Sequence, residues 1–324
     1  TADISTVGDS SMGIFLQSIG GGGGSGGAIS GSQKATDKIK RKNIGGSASV
    51  LLGGDGGQGM AGGSVSLAAS GSITTSGDRA HGIIAQSIGG GGGSGSVVEN
   101  HNTDPFATVD DQLQVSLGGN GGDGAVAASV DVTNAGIIQT SGERSIAVFA
   151  QSVGGGGGEA GGVENLSLGP QASGSKQASF SMGGTGGAGA AGASVTVINL
   201  LDGQIQTMGN SSPGIFAQSV GGGGGVGGDI YTVSRPSGDS AQASYSGEIA
   251  IGGDGGDGGT GGLVTVSNDG QITTEGPLSH GIIAQSVGGG GGTGGYAVSG
   301  SMGLSNSNAS NKAITINVGG SGGA

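Results

Sequence analysis

The chain has 324 residues, of which 86 are Gly and only 5 are Pro, with 32% apolar and 2% aromatic residues and a net charge of −12. The glycines follow no three-residue period along the chain, which excludes a collagen triple helix. The aromatic shortage excludes one thick globular core, and the acidity argues against nucleic acid or anionic membranes as partners.

Cysteine is absent, which removes disulfides, thiolate metal sites and cysteine catalysis. No run of about 18 apolar residues is present to insert into a membrane as a helix. The apolar residues gather instead in short Val- and Ile-rich runs that read as strands. From the start, Ile4 and Thr6 lie on a short strand, Gly8 marks a turn, and residues 13–19 form a second strand that runs into five consecutive glycines. A variable insert follows, carrying Lys34, Lys38, Lys40, Arg41 and Lys42. It reads as a solvated loop, and its functional reading is an electrostatic contact with an acidic neighbour such as another copy of the chain.

The same order then recurs about every 67 residues. The chain divides into a partial repeat at 1–63, repeats at 64–128, 129–193 and 194–262, and a partial repeat at 263–324, all in one array. Thr1 begins within a unit and Ala324 stops within a glycine block, so a fragment of a longer array is expected. Register is held by Gln17, Gln86, Gln151, Gln218 and Gln285, and by Thr6, Thr75, Thr140, Thr207 and Thr274. Stacked amides and hydroxyls at fixed positions are expected to form hydrogen-bonded structural ladders.

The last unit displays the local order: Val264-Thr265-Val266, a turn at Asn268-Asp269-Gly270, a strand from Gln271 to Thr274, a turn at Gly276, and a strand from Gly281 to Val287. Three strands in about 25 residues describe one coil of a parallel β-solenoid. The inserts add strands of their own, such as Gln242 to Ile251, so two or three coils per repeat are expected, each rising about 4.8 Å. In the glutamine strand, Phe149 and Phe216 alternate with Val148 and Ile215, which predicts burial on both sides. The five-glycine runs are the expected covering layer, either as extended strands or as polyproline-II-like chains bonded sideways. Only a lateral hydrogen-bond lattice offsets the entropy of ordering so much glycine. On this reading Gly223→Val destabilises the array by excluding the second layer.

The run Gly-Ile-Xaa-Ala-Gln-Ser-Val/Ile before five glycines, itself preceded by Gly-Xaa-Ile-Xaa-Thr, resembles the glycine-rich passenger regions of bacterial autotransporters. The resemblance covers essentially the whole chain. It implies a right-handed parallel β-helix, export to the bacterial cell surface or medium, and a structural or adhesive role in attachment, matrix or biofilm. The implied partners are a host or neighbouring cell surface, a matrix polymer, or copies of the chain itself.

Motifs with chemical potential are few. Gly-Xaa-Gly-Xaa-Xaa-Gly strings arise from composition and open no helix, and no Gly-Lys-Ser/Thr follows a glycine run. Asp123 and Asp257 close Gly-Gly-Xaa-Gly-Gly-Asp strings that match a calcium-binding repeat up to the aspartate. Their equivalents Gln58 and Ala188 break the pattern, so solvated acidic turns are the expected role and calcium the minor alternative. His81 and His280 share a repeat position that is otherwise Met12, Ile146 and Pro213, and are expected as exposed turn residues. The insert with Glu99, His101, Asp104, Asp110 and Asp111 is the one carboxylate cluster. It sustains the alternative of a carbohydrate-active β-helix, but nothing in the sequence positions an acid against a base, so no enzyme is expected.

Overall fold

The computed structural model describes residues 3–32, 47–102, 109–168, 171–234, 245–301 and 312–324. Among these, every regular element is a β-strand. The strands gather into five parallel sheets, and each unit of the chain contributes one strand to each sheet it reaches. A threonine sheet comprises Ile4–Thr6, Ser72–Thr75, Ile137–Thr140, Gln204–Thr207 and Gln271–Thr274. A glutamine sheet comprises Ile14–Ile19, Ile83–Ile88, Val148–Val153, Ile215–Val220 and Ile282–Val287. An asparagine sheet follows with Ile29–Ser32, Val98–Asn102, Val163–Ser167, Ile230–Ser234 and Ala297–Ser301. The insert sheet holds Ser47–Leu52, Val109–Leu117, Gln171–Met182, Tyr245–Ile251 and Lys312–Val318. The valine sheet, of four strands, holds Val65–Ala69, Val130–Asn134, Val195–Asn199 and Val264–Asn268.

This stacking corrects the expectation of two or three coils per repeat. Strands from the variable inserts pair only with the equivalent strands of adjacent units: Val163 with Val98 and Ile230, Phe180 with Val115 and Ile249. One unit is therefore one wide coil. The strand alternation follows from the period-2 pattern of β-branched residues. Val130, Val132, Val195 and Val197 of the valine sheet meet Ile138 and Ile205 of the threonine sheet, and Ile83, Val148 and Ile215 of the glutamine sheet, in one fully buried column. Each such side chain contributes about 1.5–3 kcal/mol on burial. The asparagine and insert sheets enclose a second, thinner interior, where the apolar cluster shrinks to Val98, Val163, Ile230 and Ala250.

Between these two lobes lies a slab of glycine. In the first glycine block, Gly20, Gly23 and Gly26 donate to the carbonyls of Ile88, Gly91 and Ser94 in the next coil, each at 2.8 Å. In the second, Gly53, Gly56 and Gly59 donate to Leu117, Asn120 and Asp123 at 2.8, 2.8 and 2.9 Å. The remaining bonds cross between the layers. Gly57 donates to Gly24 at 2.7 Å within one coil, and Gly93 donates to Gly57 at 2.8 Å from the next. Within each layer the bonding position recurs every third residue, which is the period of a polyproline-II helix. No glycine of either block has a positive φ, as that left-handed helix requires. The cross-layer pairs Gly54 with Gly27, Gly57 with Gly24 and Met60 with Gly21 run in opposite senses, so the two layers are antiparallel.

Two sequence expectations are corrected here. A three-residue period does exist locally, as Gly-Gly-Xaa in blocks such as Gly252 to Gly262, where two positions face other helices and the third faces out. The five-glycine runs also pack on the second glycine block, not over the phenylalanine strand. That strand buries Ile215 and Ala217 on one face and leaves Phe216 half-buried on the other. Gly223 is one of the outward positions: a Cβ there would have its nearest neighbour, the Gly290 oxygen, at an ordinary 3.6 Å. At Gly222 and Gly224 a Cβ would fall on the carbonyl oxygens of Gly155 and Gly256, well inside contact distance. Gly222→Ala and Gly224→Ala are therefore expected to destabilise by about 1–3 kcal/mol or more through overpacking. Gly223→Ala is expected within about 0.5 kcal/mol of the parent. Denaturant unfolding of the three variants side by side checks this, and equal losses in all three would remove the three-residue period from the slab.

Candidate functional site

The most regular surface runs along the glutamine sheet. Gln, outward because its neighbours Ala and Ser face in, carries its amide to the next coil: Gln17 Nε2 donates to Gln86 Oε1 at 3.1 Å, Gln86 to Gln151 at 3.1 Å, Gln151 to Gln218 at 2.7 Å and Gln218 to Gln285 at 3.0 Å. The five side chains form an unbroken amide ladder. Beside it the Phe149 and Phe216 rings meet tilted at 42°, 5.4 Å between centroids, and the His81 ring stacks on Phe149 at 6.4 Å. The serine after each glutamine points inward. Ser87, Ser152 and Ser219 accept from the backbone N–H of Ala128, Ala193 and Gly262 at 2.8–2.9 Å, tying the glutamine strand to the chain leaving the second glycine block.

The threonine column behaves differently from the expected ladder. Thr6, Thr75, Thr140, Thr207 and Thr274 are in register, but their hydroxyls do not bond one another. Each donates to the carbonyl five residues on in its own coil, Ser11, Ala80, Ser145, Ser212 and Ser279 respectively, at 2.6–2.9 Å. The reason lies in the turn they close. Ser10, Arg79, Arg144, Ser211 and Leu278, at one repeat position, all adopt the left-handed conformation with φ between 52° and 59°, which costs about 1–2 kcal/mol each for a side-chain-bearing residue. The clamp holds that turn, and the N–H of Arg79 and Arg144 then reach Glu143 and Asn210 of the next coil.

An amide ladder that sequence reading missed sits at the end of the valine strands. Asn134 Nδ2 donates to Asn199 Oδ1 at 2.8 Å, and Asn199 to Asn268 at 2.7 Å, in a column buried at Asn134 and Asn199 that also bonds the turn carbonyls of Gly136 and Gly203. The signal was Asn two residues before a turn glycine at Asn134 and Asn268.

The aspartates of the second glycine block are spent on the backbone. Asp123 Oδ1 accepts from the N–H of Ala188 at 2.8 Å and Asp257 Oδ1 from that of Ala324 at 2.9 Å. Each caps an outward donor of the next coil's polyproline-II helix. Asp254 does the same for Ser321, and the backbone N–H and then the hydroxyl of Ser321 hold its carboxyl below the usual range. Among the described residues no three His, Cys, Asp or Glu side chains cluster as for a metal ion. In the acidic insert, Glu99 stands exposed on the asparagine sheet, and the His101 ring lies 3.5 Å from Glu164 of the next coil. Asp111, on the insert sheet, accepts from the N–H of Lys176. Asp104, the side chain of Asp110 and the basic run Lys34 to Lys42 lie outside the described residues.

His81 is corrected from an exposed turn residue to a half-buried one. Its Nδ1 accepts from the Ile146 N–H at 2.9 Å, and burial holds its pKa below the ordinary value. A depressed folded-state pKa contributes stability above the unfolded pKa that is lost as pH falls through the folded value. Acidification below about pH 6.5 is therefore expected to destabilise the parent chain more than His81→Gln, as thermal melts across that range would show. Thr140→Val, which removes a buried clamp, is expected to cost about 1–3 kcal/mol by denaturant unfolding. A loss below about 0.5 kcal/mol would mean that the turn holds without it.

No protein-family model, no curated protein and no solved structure matches the chain.

Proposed function

We propose that this chain is a segment of an extracellular structural or adhesive protein: a stiff β-solenoid stalk or fibre on a bacterial surface, of the kind used as autotransporter passengers. Register held from coil to coil carries this reading. Four of the five sheets, both glycine layers and the glutamine column pass from coil to coil in constant register, and the insert sheet does so apart from one bulge between Gln171 and Lys176. A rod bonded along its axis at so many points around its perimeter resists bending, because curvature must stretch hydrogen bonds on one side. Each coil adds one strand spacing, about 4.8 Å, so length is set by repeat number.

The solenoid is right-handed in this proposal, the sense that parallel strands linked by crossovers in one sheet almost always take. Partners, whether a cell surface, a matrix polymer or another copy, meet the variable segments between the asparagine and insert sheets, where the sequence changes from unit to unit while the rest holds register. Glu99 and Asp111 stand on strands of separate sheets, and no observation favours the carbohydrate-active alternative.

Arrays with two and four added central repeats, imaged by electron microscopy, are expected to lengthen by about 4.8 Å per repeat at constant width. Particles that widen instead would sink the rod. Cells displaying the array should adhere to one another or to matrix, and lose that adhesion when the variable segments are exchanged for short Gly-Ser turns. Unchanged adhesion would place the contact elsewhere.

A further inference from the structure

The thinner interior, between the asparagine and insert sheets, is polar in a way that the valine-lined lobe is not. Asn165 bridges Ser116 and Ser181 there, at 3.0 and 2.6 Å, and all three are buried. One member of this interior is a carboxylate. Glu248 is only 3% exposed, and among the described residues neither of its oxygens has a hydrogen-bond partner. The register partner Ser179, one coil away, likewise has a buried hydroxyl without a partner. Both face a cavity of about 10 Å³, which Gln112, Gln114, Ser167 and Ser234 also line. That volume is room for a single water-sized occupant.

An ionised carboxylate in such a place is strongly destabilising unless something neutralises it. Among the described residues no Lys, Arg or His lines the cavity. Its remaining polar groups are amides and hydroxyls, whose oxygens are the ligands that hard cations take. With one carboxylate and otherwise neutral ligands, a singly charged cation leaves the buried site neutral, whereas a divalent one would leave it carrying a positive charge. We propose that Glu248 and the oxygens around it form an interior site for one monovalent cation, Na⁺ or K⁺, held between coils as a bridge across the two sheets. Burial raises the Glu248 carboxyl above its ordinary pKa, and the Ser234 hydroxyl, near but outside hydrogen-bonding geometry, offsets part of this. A bound cation acts in the same direction as that hydroxyl, by favouring the charged form.

The site belongs to one coil and not to the repeat as such. At the equivalent register position the chain has Ser49, Gln114, Ser179 and Thr315, so Glu248→Gln and Glu248→Ser copy residues that the fold already accepts there. Thermal unfolding of the chain is measured at pH 7 in NaCl, KCl and choline chloride at equal ionic strength. Choline is too large for the cavity. The parent chain is expected to melt about 2 °C or more higher in the better of the two metal salts than in choline chloride. Both variants are expected to lose that difference, and in choline chloride Glu248→Gln should melt above the parent. Equal melting of the parent in all three salts overturns the proposal, as does a difference that persists in the variants. Sodium NMR of the parent gives a readout independent of any variant: line broadening reversed by excess KCl is expected when Na⁺ occupies the site. KCl melting above NaCl with a sharp sodium line assigns K⁺, and a sharp line with equal melting leaves Glu248 protonated and the site without an ion.

Discussion

Backbone hydrogen bonding in the glycine slab is the constraint on which the rest of the molecule depends. A glycine chain has no side chain to bury, and ordering it costs more conformational entropy than ordering any other residue. What it can offer is close backbone approach. In a polyproline-II helix no N–H is bonded internally, so each must find a partner in a neighbouring chain. Here two positions of every three do so, one along the layer and one across to the antiparallel layer. A Cβ at either position meets backbone oxygen. Glycine therefore dominates those two positions, with Met60, Ser96, Ala125, Ala160 and Ala190 as exceptions, while the third varies widely, from Asp55 and Asn120 to Gln58, Glu159, Thr185 and Val226.

Other features follow from holding those layers in register. Because the slab bonds each coil to the next at fixed positions, the strands entering and leaving it must stack on their counterparts, and one unit becomes one coil. The strands on the valine side then close a dry, branched-chain column. Those on the insert side enclose a narrower space in which Val98, Val163, Ile230 and Ala250 are joined by buried Asn, Ser and Gln and, among the described residues, by one Glu. Side chains around the perimeter close remaining gaps in backbone pairing. Inward serines hold the chain leaving the second glycine block, threonine clamps hold a strained turn, and aspartates cap outward donors of the slab. An isolated exposed carboxylate contributes little to stability, but repetition in every coil makes these contacts part of the register.

This construction bears on mechanics. Hydrogen bonds run along the axis in the sheets at both ends of the cross-section and in the slab between them, so axial bonding is present on every side of the stack. The amide ladders of Gln on the outer face and Asn in the interior add axial bonds of a second kind.

The sequence by itself determined the parallel β-architecture and the columns of Ile, Thr and Gln, because a fixed spacing of β-branched and amide residues admits only like-on-like stacking. It also showed that glycine had to be held by a lateral lattice, since no other term offsets its entropy. The number of coils per repeat was decided only in three dimensions: the inserts carry ordinary strand patterns, and nothing local tells whether they pair with their own unit or with the next. The same holds for the covering of the phenylalanine face, since alternation alone does not distinguish a half-buried outer stripe from a second interior. The threonines looked like a ladder because register is visible in a sequence, whereas the direction of a hydroxyl is set by the turn beside it, whose left-handed residue is Ser, Arg or Leu and carries no signature. Glu248 had no signal at all, since its neighbours in register are Gln114, Ser179 and Thr315, and only the closing of two sheets around it turns a polar residue on a strand into a buried charge.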